Sequence, residues 1–418
     1  MNNYIVCWFL YCFQNKYSNN IVSESKKLKE FKMNSYALNA NSTKNILSVK
    51  RQNELSIHFS SFEQDKMNLI FSDAFKRLAN KTQVFDNRNG SNGHKYRTRL
   101  THSLEVSMLS SYIAKELGLN PLVAEILGLL HDIGHPPFGH IGQDTLDEVL
   151  KEHTQGKESF EHNNQAVRLV TIIEPLNISN IILNGLKKRK EHGLETPFNY
   201  GESQVMNICD AIAYVAGDTQ DALELGVLTP EMLVDEPFIQ MCFETDNKEE
   251  LIEKMSDYEF VHKRILVFLS QSLISESLKR FADNKLISYY QFFEANDNDD
   301  APLVALPSSV YESVKLFKKF LYDNVYNTGN MKKERVAQKT ILKTLFNVLY
   351  QYGFDETNKY ELYIGKSYID RYKNGYQDGN QQLQYVSKER TVVDYLAGCD
   401  DKYIQSMYQT YLDVENKQ

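Results

Sequence analysis

Apolar residues recurring at three- and four-residue spacing predict a mainly helical chain. Between Thr101 and Leu117 the repeat is carried by Leu104, Met108, Leu109, Ile113 and Leu117. Asn120-Pro121 then offers a capping side chain and a first-turn proline for a second helix, Leu122 to about Ile133, which Gly134 and Pro136-Pro137 stop. A third predicted helix runs from Phe160 to Glu174 and ends at Pro175. A fourth covers Ser203 to Leu225, with Val205, Ile208, Ile212, Val215 and Thr219 on its core side and Gly226 as its stop. The polar stretches Asp86–His94 and Asn296–Pro302 read as loops, and Gly365–Gln382, which has no apolar period, reads as an exposed hairpin or loop.

Composition narrows the class. The 418 residues are 42 % hydrophobic, 12 % aromatic and 24 % charged, which excludes wholesale disorder and leaves ample apolar surface for a core. A formal net charge of −8 argues against a surface built throughout to grip nucleic acid. Five cysteines form no C-x-x-C pair, so neither a disulfide framework nor a thiolate metal site is expected. No apolar run reaches the roughly 18–20 residues of a membrane helix, and the apolar segment Tyr4–Phe13 lacks a basic leader and a small-residue cleavage site. Cytoplasmic placement without a membrane partner is the expectation. Residues 1–32 read as a non-native or disordered N-terminal extension ahead of Met33. Residues 33–295 would then form a catalytic body and 296–418 a C-terminal helical region packed on it.

Histidine supplies the candidate chemistry. Six of the ten fall between positions 102 and 162: His102, His131, His135, His140, His153 and His162. His131-Asp132 is an adjacent nitrogen and oxygen donor pair, and a helix hairpin can bring His102 beside it. Such mixed sites suit divalent Mn, Fe, Zn or Mg. Alone, the His-Asp pair is more readily a surface hydrogen bond. The continuation HDIGHPPFGHIGQ, with three histidines broken by two prolines and three glycines, reads instead as a loop holding imidazoles over a metal. On the fourth helix Asp210, Tyr214 and Asp218 share one face, either as a solvated stripe or as one wall of a site. Gly365-Lys366-Ser367 is no phosphate-binding loop, because Tyr360 stands where the first glycine belongs.

Taken in order, FSDAFKRLANKTQVF (71–85), YRTRLTHSLEVSMLSSYIA (96–114), HDIGHPPFGHIGQ (131–143), FEHNNQAVRLV (160–170), DAIAYVAGDTQDALELGVL (210–228) and RTVVDYLAGCDDKYI (390–404) resemble the HD-domain deoxynucleoside triphosphate triphosphohydrolases, the dGTPase family. The resemblance implies an all-α HD-domain helical bundle with additional C-terminal helices. It implies hydrolysis of dNTPs, dGTP foremost, to deoxynucleoside and tripolyphosphate by metal-activated water attacking the α-phosphorus. His102, His131, Asp132 and Asp210 would be the ligands of Mn2+, Mg2+ or Fe2+. Arg99 would contact phosphates, and His135, His140 and His162 would line the triphosphate, with His140 as general acid. Gln83 and Asp218 would hold the 3′-hydroxyl, Tyr214 would close the space beside the 2′-carbon, and Tyr326 would be a pocket tyrosine.

The family carries glutamate where this chain has Gln143. That residue would orient His140 from one turn away, and Asp144 would either partly replace the missing carboxylate or be merely a first-turn residue favoured by the helix dipole. A homo-oligomer and a nucleotide effector are the further partners implied. Two rivals stand beside this reading. One is an HD phosphohydrolase acting on nucleoside monophosphates or cyclic nucleotides. The other is a retired HD scaffold binding nucleic acid through Lys187-Lys188-Arg189-Lys190, a run that otherwise reads as a solvated helix end.

Overall fold

Asn120 accepts hydrogen bonds from the backbone N–H groups of Leu122 and Val123, so the second predicted helix begins at Pro121 as its cap dictates. The computed structural model describes residues 60–83, 97–186, 189–191, 194–196, 201–284, 302–378 and 381–417. Residues 1–32, the loop 86–94, the boundary at 295/296, residues 296–301 of the second loop, and Lys187 and Lys188 lie outside them.

Helices dominate the described chain. Helices α1 (Ser61–Phe71) and α2 (Asp73–Arg77) lead to α3 (Arg99–Glu116), which forms a hairpin with α4 (Pro121–Leu130). After a turn come α5 (Gly139–Thr154), α6 (His162–Arg168, continuing into a π-helical turn, Leu169–Ile173) and α7 (Asn180–Gly185). Strands β1 (Arg189–Glu191) and β2 (Leu194–Thr196) pair antiparallel before the long α8 (Gly201–Glu224). The chain continues through α9 (Pro230–Leu233), α10 (Pro237–Phe243), α11 (Lys248–Met255) and α12 (Tyr258–Asp283). Then follow α13 (Ser308–Leu321, with a π turn Tyr322–Tyr326), α14 (Gly329–Tyr352), α15 (Lys366–Asn374), the β3–β4 hairpin (Tyr376–Gln377 and Leu383–Gln384), α16 (Lys388–Gly398) and α17 (Asp401–Glu415).

The α3–α4 hairpin is held unusually close. A side chain on Gly128 would stand 2.6 Å from the Ser107 Cα, so only glycine admits this approach. The buried face of α3 is correspondingly lined by Ser103, Ser107 and Ser110 alongside Leu109 and Ile113, while Leu104 and Met108 point to solvent. Helix α8 crosses α3, α4 and α12.

Two apolar cores result. The first joins α1–α4, α8 and α10–α12 and takes in Val314, Phe317 and Leu321 of α13. In the second, Leu146, Val149 and Leu150 of α5 pack with Leu342, Leu345, Phe346 and Leu349 of α14 and Val392, Val393 and Leu396 of α16. The turn after α4 passes from one to the other: Ile133 is buried in the first core and Phe138 in the second. Burying this material at about 25 cal/mol per Å² of apolar surface is what drives the two layers together over the turn.

Four sequence expectations change. Helix α4 ends at Leu130, with His131 as its cap, rather than at Ile133. The glycine-rich run is only a loop as far as Phe138, because α5 starts at Gly139. Residues 366–374 form a helix that buries Ile369 and rests Tyr368 on Tyr395, and the expected hairpin is confined to the β3–β4 pair that follows it. Arg189 and Lys190 belong to a strand, not a helix end.

Candidate metal centre and active site

Three of the four expected metal ligands converge. His102 comes from α3, one turn after Arg99, His131 caps α4, and Asp210 stands on α8. Their donor atoms lie within 4.8 Å of one another. Asp210 Oδ1 is 2.9 Å from His102 Nε2 and 3.6 Å from His131 Nε2. His131 donates through Nδ1 to the Gly128 carbonyl at 2.7 Å, so the neutral ring carries its lone pair on Nε2. That nitrogen is buried and makes no hydrogen bond. An orphaned imidazole nitrogen facing a carboxylate is the arrangement a divalent cation satisfies, and the donor set fits one. Asp132 sits alongside, with Oδ1 3.4 Å from His131 Nε2 while Oδ2 accepts from Arg99 at 2.8 Å.

The electrostatics agree. Burial pushes the His131 imidazole down, but Asp132 and Asp210 outweigh it and raise its pKa to about 9. Burial likewise pushes Asp210 up, yet the hydrogen bond with His102 and the nearby His131 imidazole hold it below the carboxylate range. Asp132, despite burial, is held low by His131 and Arg99. The site attracts positive charge, whether proton or metal.

Beside it lies a second set of imidazoles. His135 stacks on His162 with ring centroids 4.0 Å apart, and His140 stands edge-on to both at 5.2 and 6.0 Å. Burial and the Arg99 charge depress His135 and His140, and burial takes His162 to about 4. All three are neutral at pH 7. Arg99 is buried, and Gly139 makes room for it: a side chain at residue 139, where φ is +59°, would stand 2.6 Å from the guanidinium.

Gln143 is not where the family pattern leads one to expect. Its Oε1 accepts from the His162 ring at Nδ1, 2.6 Å away, and from the His162 backbone N–H at 3.0 Å. It orients His162 rather than His140. Asp144 lines the same cavity and adds negative potential at His140.

The opposite wall comes from α8 and α13. Tyr214 stacks on Tyr326 at 6.0 Å, and the Tyr326 hydroxyl donates to Asp218. Burial raises the Asp218 carboxyl to about 7 against that hydrogen bond. Gln83 also lines the cavity, and its buried side-chain oxygen has no hydrogen-bond partner. Tyr214, Tyr326 and Gln83 face the metal and histidine groups across a cavity of about 740 Å³, within the usual range of small-ligand sites.

The HD-domain family matches residues 99–220, the stretch carrying His102, His131, Asp132 and Asp210. A phosphohydrolase-associated domain matches residues 304–410. A deoxyguanosinetriphosphate triphosphohydrolase-like protein of Leptospira interrogans is 31 % identical over 377 residues, covering 84 % of this chain and 89 % of that protein. The chain belongs to this family. A relative of the same description from Geobacter metallireducens is 30 % identical over 85 % of this chain and 89 % of its own length. One from Caldanaerobacter subterraneus is 29 % identical over 84 % of each.

This HD phosphohydrolase thus brings the predicted site residues to one cavity, with three exceptions: Asp218, which is reached through the Tyr326 hydroxyl, Gln143, which reaches the site through His162, and His153, which is exposed against Phe346 and Tyr350. Lys318, Glu334, Arg335 and Gln338 from α13 and α14, and Asp401 from α17, also line the cavity and were not foreseen. Arg335 and Lys318 carry no motif; only the fold turns those helix faces inward. Among the described residues no helix is long and apolar enough to cross a membrane.

Proposed function

We propose that this phosphohydrolase cleaves deoxynucleoside triphosphates, dGTP foremost, into deoxynucleoside and tripolyphosphate. The observation that supports it is one cavity lined by the His102–His131–Asp210 group, Arg99 and three neutral imidazoles on one side and by Tyr214 and Tyr326, the latter bonded to Asp218, on the other. A divalent cation (Mn2+, Mg2+ or Fe2+) held by His102, His131, Asp132 and Asp210 would supply Lewis-acid charge at the phosphate and make water more acidic.

The chain's own groups do the rest. Arg99 spends one nitrogen on Asp132 and keeps a buried Nε without a partner, which a phosphate oxygen can take. His135 and His162 line the phosphates. A triphosphate entering beside His140 adds negative charge and raises that ring's proton affinity, so His140 gains a proton to give to the departing 5′-oxygen. Water bonds to the α-phosphorus as the bond to the 5′-oxygen breaks. Gln83 and Asp218 hold the 3′-hydroxyl, and the Tyr214 ring fills the space beside the 2′-carbon, where a ribonucleotide carries its extra oxygen. This reading places the enzyme in the cytoplasm, as a homo-oligomer open to a nucleotide effector. The test is incubation of each dNTP with Mn2+ or Mg2+ and chromatography of products. Tripolyphosphate is the expected product; hydrolysis of monophosphates or cyclic nucleotides alone would favour the neighbouring HD chemistry instead.

A further inference from the structure

Asp401, the first residue of α17, is a buried carboxylate that reaches two walls of the cavity at once. Its Oδ1 accepts from the Phe138 N–H at 3.0 Å and its Oδ2 from the Thr82 N–H at 2.8 Å. Phe138 closes the turn that carries His135 and directly precedes Gly139-His140; Thr82 directly precedes Gln83. Phe138 also holds a left-handed backbone, φ 63°, a conformation that a bulky residue keeps only when its surroundings enforce it.

Lys81 completes the clamp. Its buried ammonium donates to the His135 carbonyl at 2.5 Å and to the Ala397 carbonyl, at the end of α16, at 2.9 Å. The α16–α17 junction is therefore tied to the histidine turn from both sides. Charge-assisted hydrogen bonds to backbone groups are the stronger kind, and these are shielded from water.

We propose that Asp401, seconded by Lys81, is a positioning residue of the phosphohydrolase. It fixes the His135–His140 turn and the Thr82–Gln83 segment relative to the metal ligands, so the phosphohydrolase-associated region is a structural part of the active site. This rests on the function proposed above. His102 and Asp210 stand on α3 and α8 and His131 caps α4, helices whose apolar faces pack in the first core.

Asp401→Asn keeps one acceptor and turns an amide N–H2 toward the other backbone N–H; Lys81→Met removes both carbonyl contacts. Tyr360→Phe serves as the control, because it breaks the 2.7 Å hydrogen bond to Glu415 on the same α17 without approaching the cavity. Each variant is assayed per folded, metal-loaded molecule for kcat and KM with the best dNTP, and its histidine ring signals are recorded by 15N NMR. Asp401→Asn is expected to retain metal, to lose kcat by about 10- to 100-fold with a smaller change in KM, and to move the His135 and His140 signals. Tyr360→Phe should leave kcat and those signals alone. Wild-type kcat and unmoved ring signals in Asp401→Asn would overturn the proposal; if that variant does not fold, Lys81→Met decides by the same readouts. Should the wild type turn over no dNTP, the functional reading fails, and the ring signals alone decide the positioning role.

Discussion

Gln143 holds His162: one carbonyl oxygen accepts both the ring Nδ1–H at 2.6 Å and the backbone N–H at 3.0 Å. Because the amide oxygen can only accept, the ring proton sits on Nδ1 and the lone pair on Nε2 faces away from Gln143. A glutamate there would add charge as well as orientation.

Gln143→Glu should therefore raise the His162 pKa from about 4 toward the ordinary imidazole range, since a carboxylate favours the imidazolium. If neutral His162 is the working form, the acid limb of kcat/KM moves to higher pH. An unchanged pH–rate profile would show that this contact does not govern the ring.

Metal affinity should depend on pH with a definite sign. A proton occupies His131 up to about pH 9, and a cation must displace it. Affinity for Mn2+ is expected to climb about tenfold per pH unit between 6.5 and 8.5 and level off near 9. The metal-free protein behaves oppositely. With its folded pKa above the unfolded value of about 6.5, His131 contributes stability that is full below 6.5 and lost as pH rises through 9. Titration calorimetry and melting curves at several pH values measure both. His131→Ala and Asp210→Ala should each abolish metal content; full occupancy in either would refute the ligand assignment.

Tyr214→Ala should relax the choice of sugar. The ring stacks on Tyr326, and its removal opens space on the Asp218 wall. The ratio of kcat/KM for dGTP over GTP is expected to fall by about tenfold or more, mainly through improved GTP hydrolysis. An unaltered ratio would take Tyr214 out of sugar discrimination.

Gly139→Ala tests the space made for Arg99. The new methyl would meet the guanidinium at 2.6 Å on a backbone of φ +59°, where an L side chain costs about 1–2 kcal/mol. Both a lower melting temperature and a raised KM for the triphosphate are expected; a normal KM would mean that Arg99 does not contact the substrate.

Helices α3, α4 and α8 and the cap at Asn120 were legible because local periodicity and capping chemistry decide them. The histidine cluster was legible because six of the ten histidines fall between positions 102 and 162 and the glycine- and proline-broken run after His131 marks a turn. Helix α5 was not. Gly139 and Gly142 suggest a loop, but Gly139 clears the Arg99 side chain and Gly142 lies where a methyl would strike the Pro137 carbonyl. Asp401 and Lys318 escaped because their places at the cavity arise from packing between segments far apart in the chain, Asp401 in the α16–α17 region and Lys318 on α13 in the first core, which no local pattern encodes. Gln143 was misassigned to His140 by helical spacing; the actual partner, His162, arrives from the next helix.

Hydrolysis of dGTP in water enriched in 18O, followed by 31P NMR and mass spectrometry of both products, tests the central claim most directly. Attack at the α-phosphorus places the label in a terminal phosphate of tripolyphosphate and leaves the deoxynucleoside unlabelled. Label in the deoxynucleoside, or release of a nucleoside monophosphate with pyrophosphate, would contradict it.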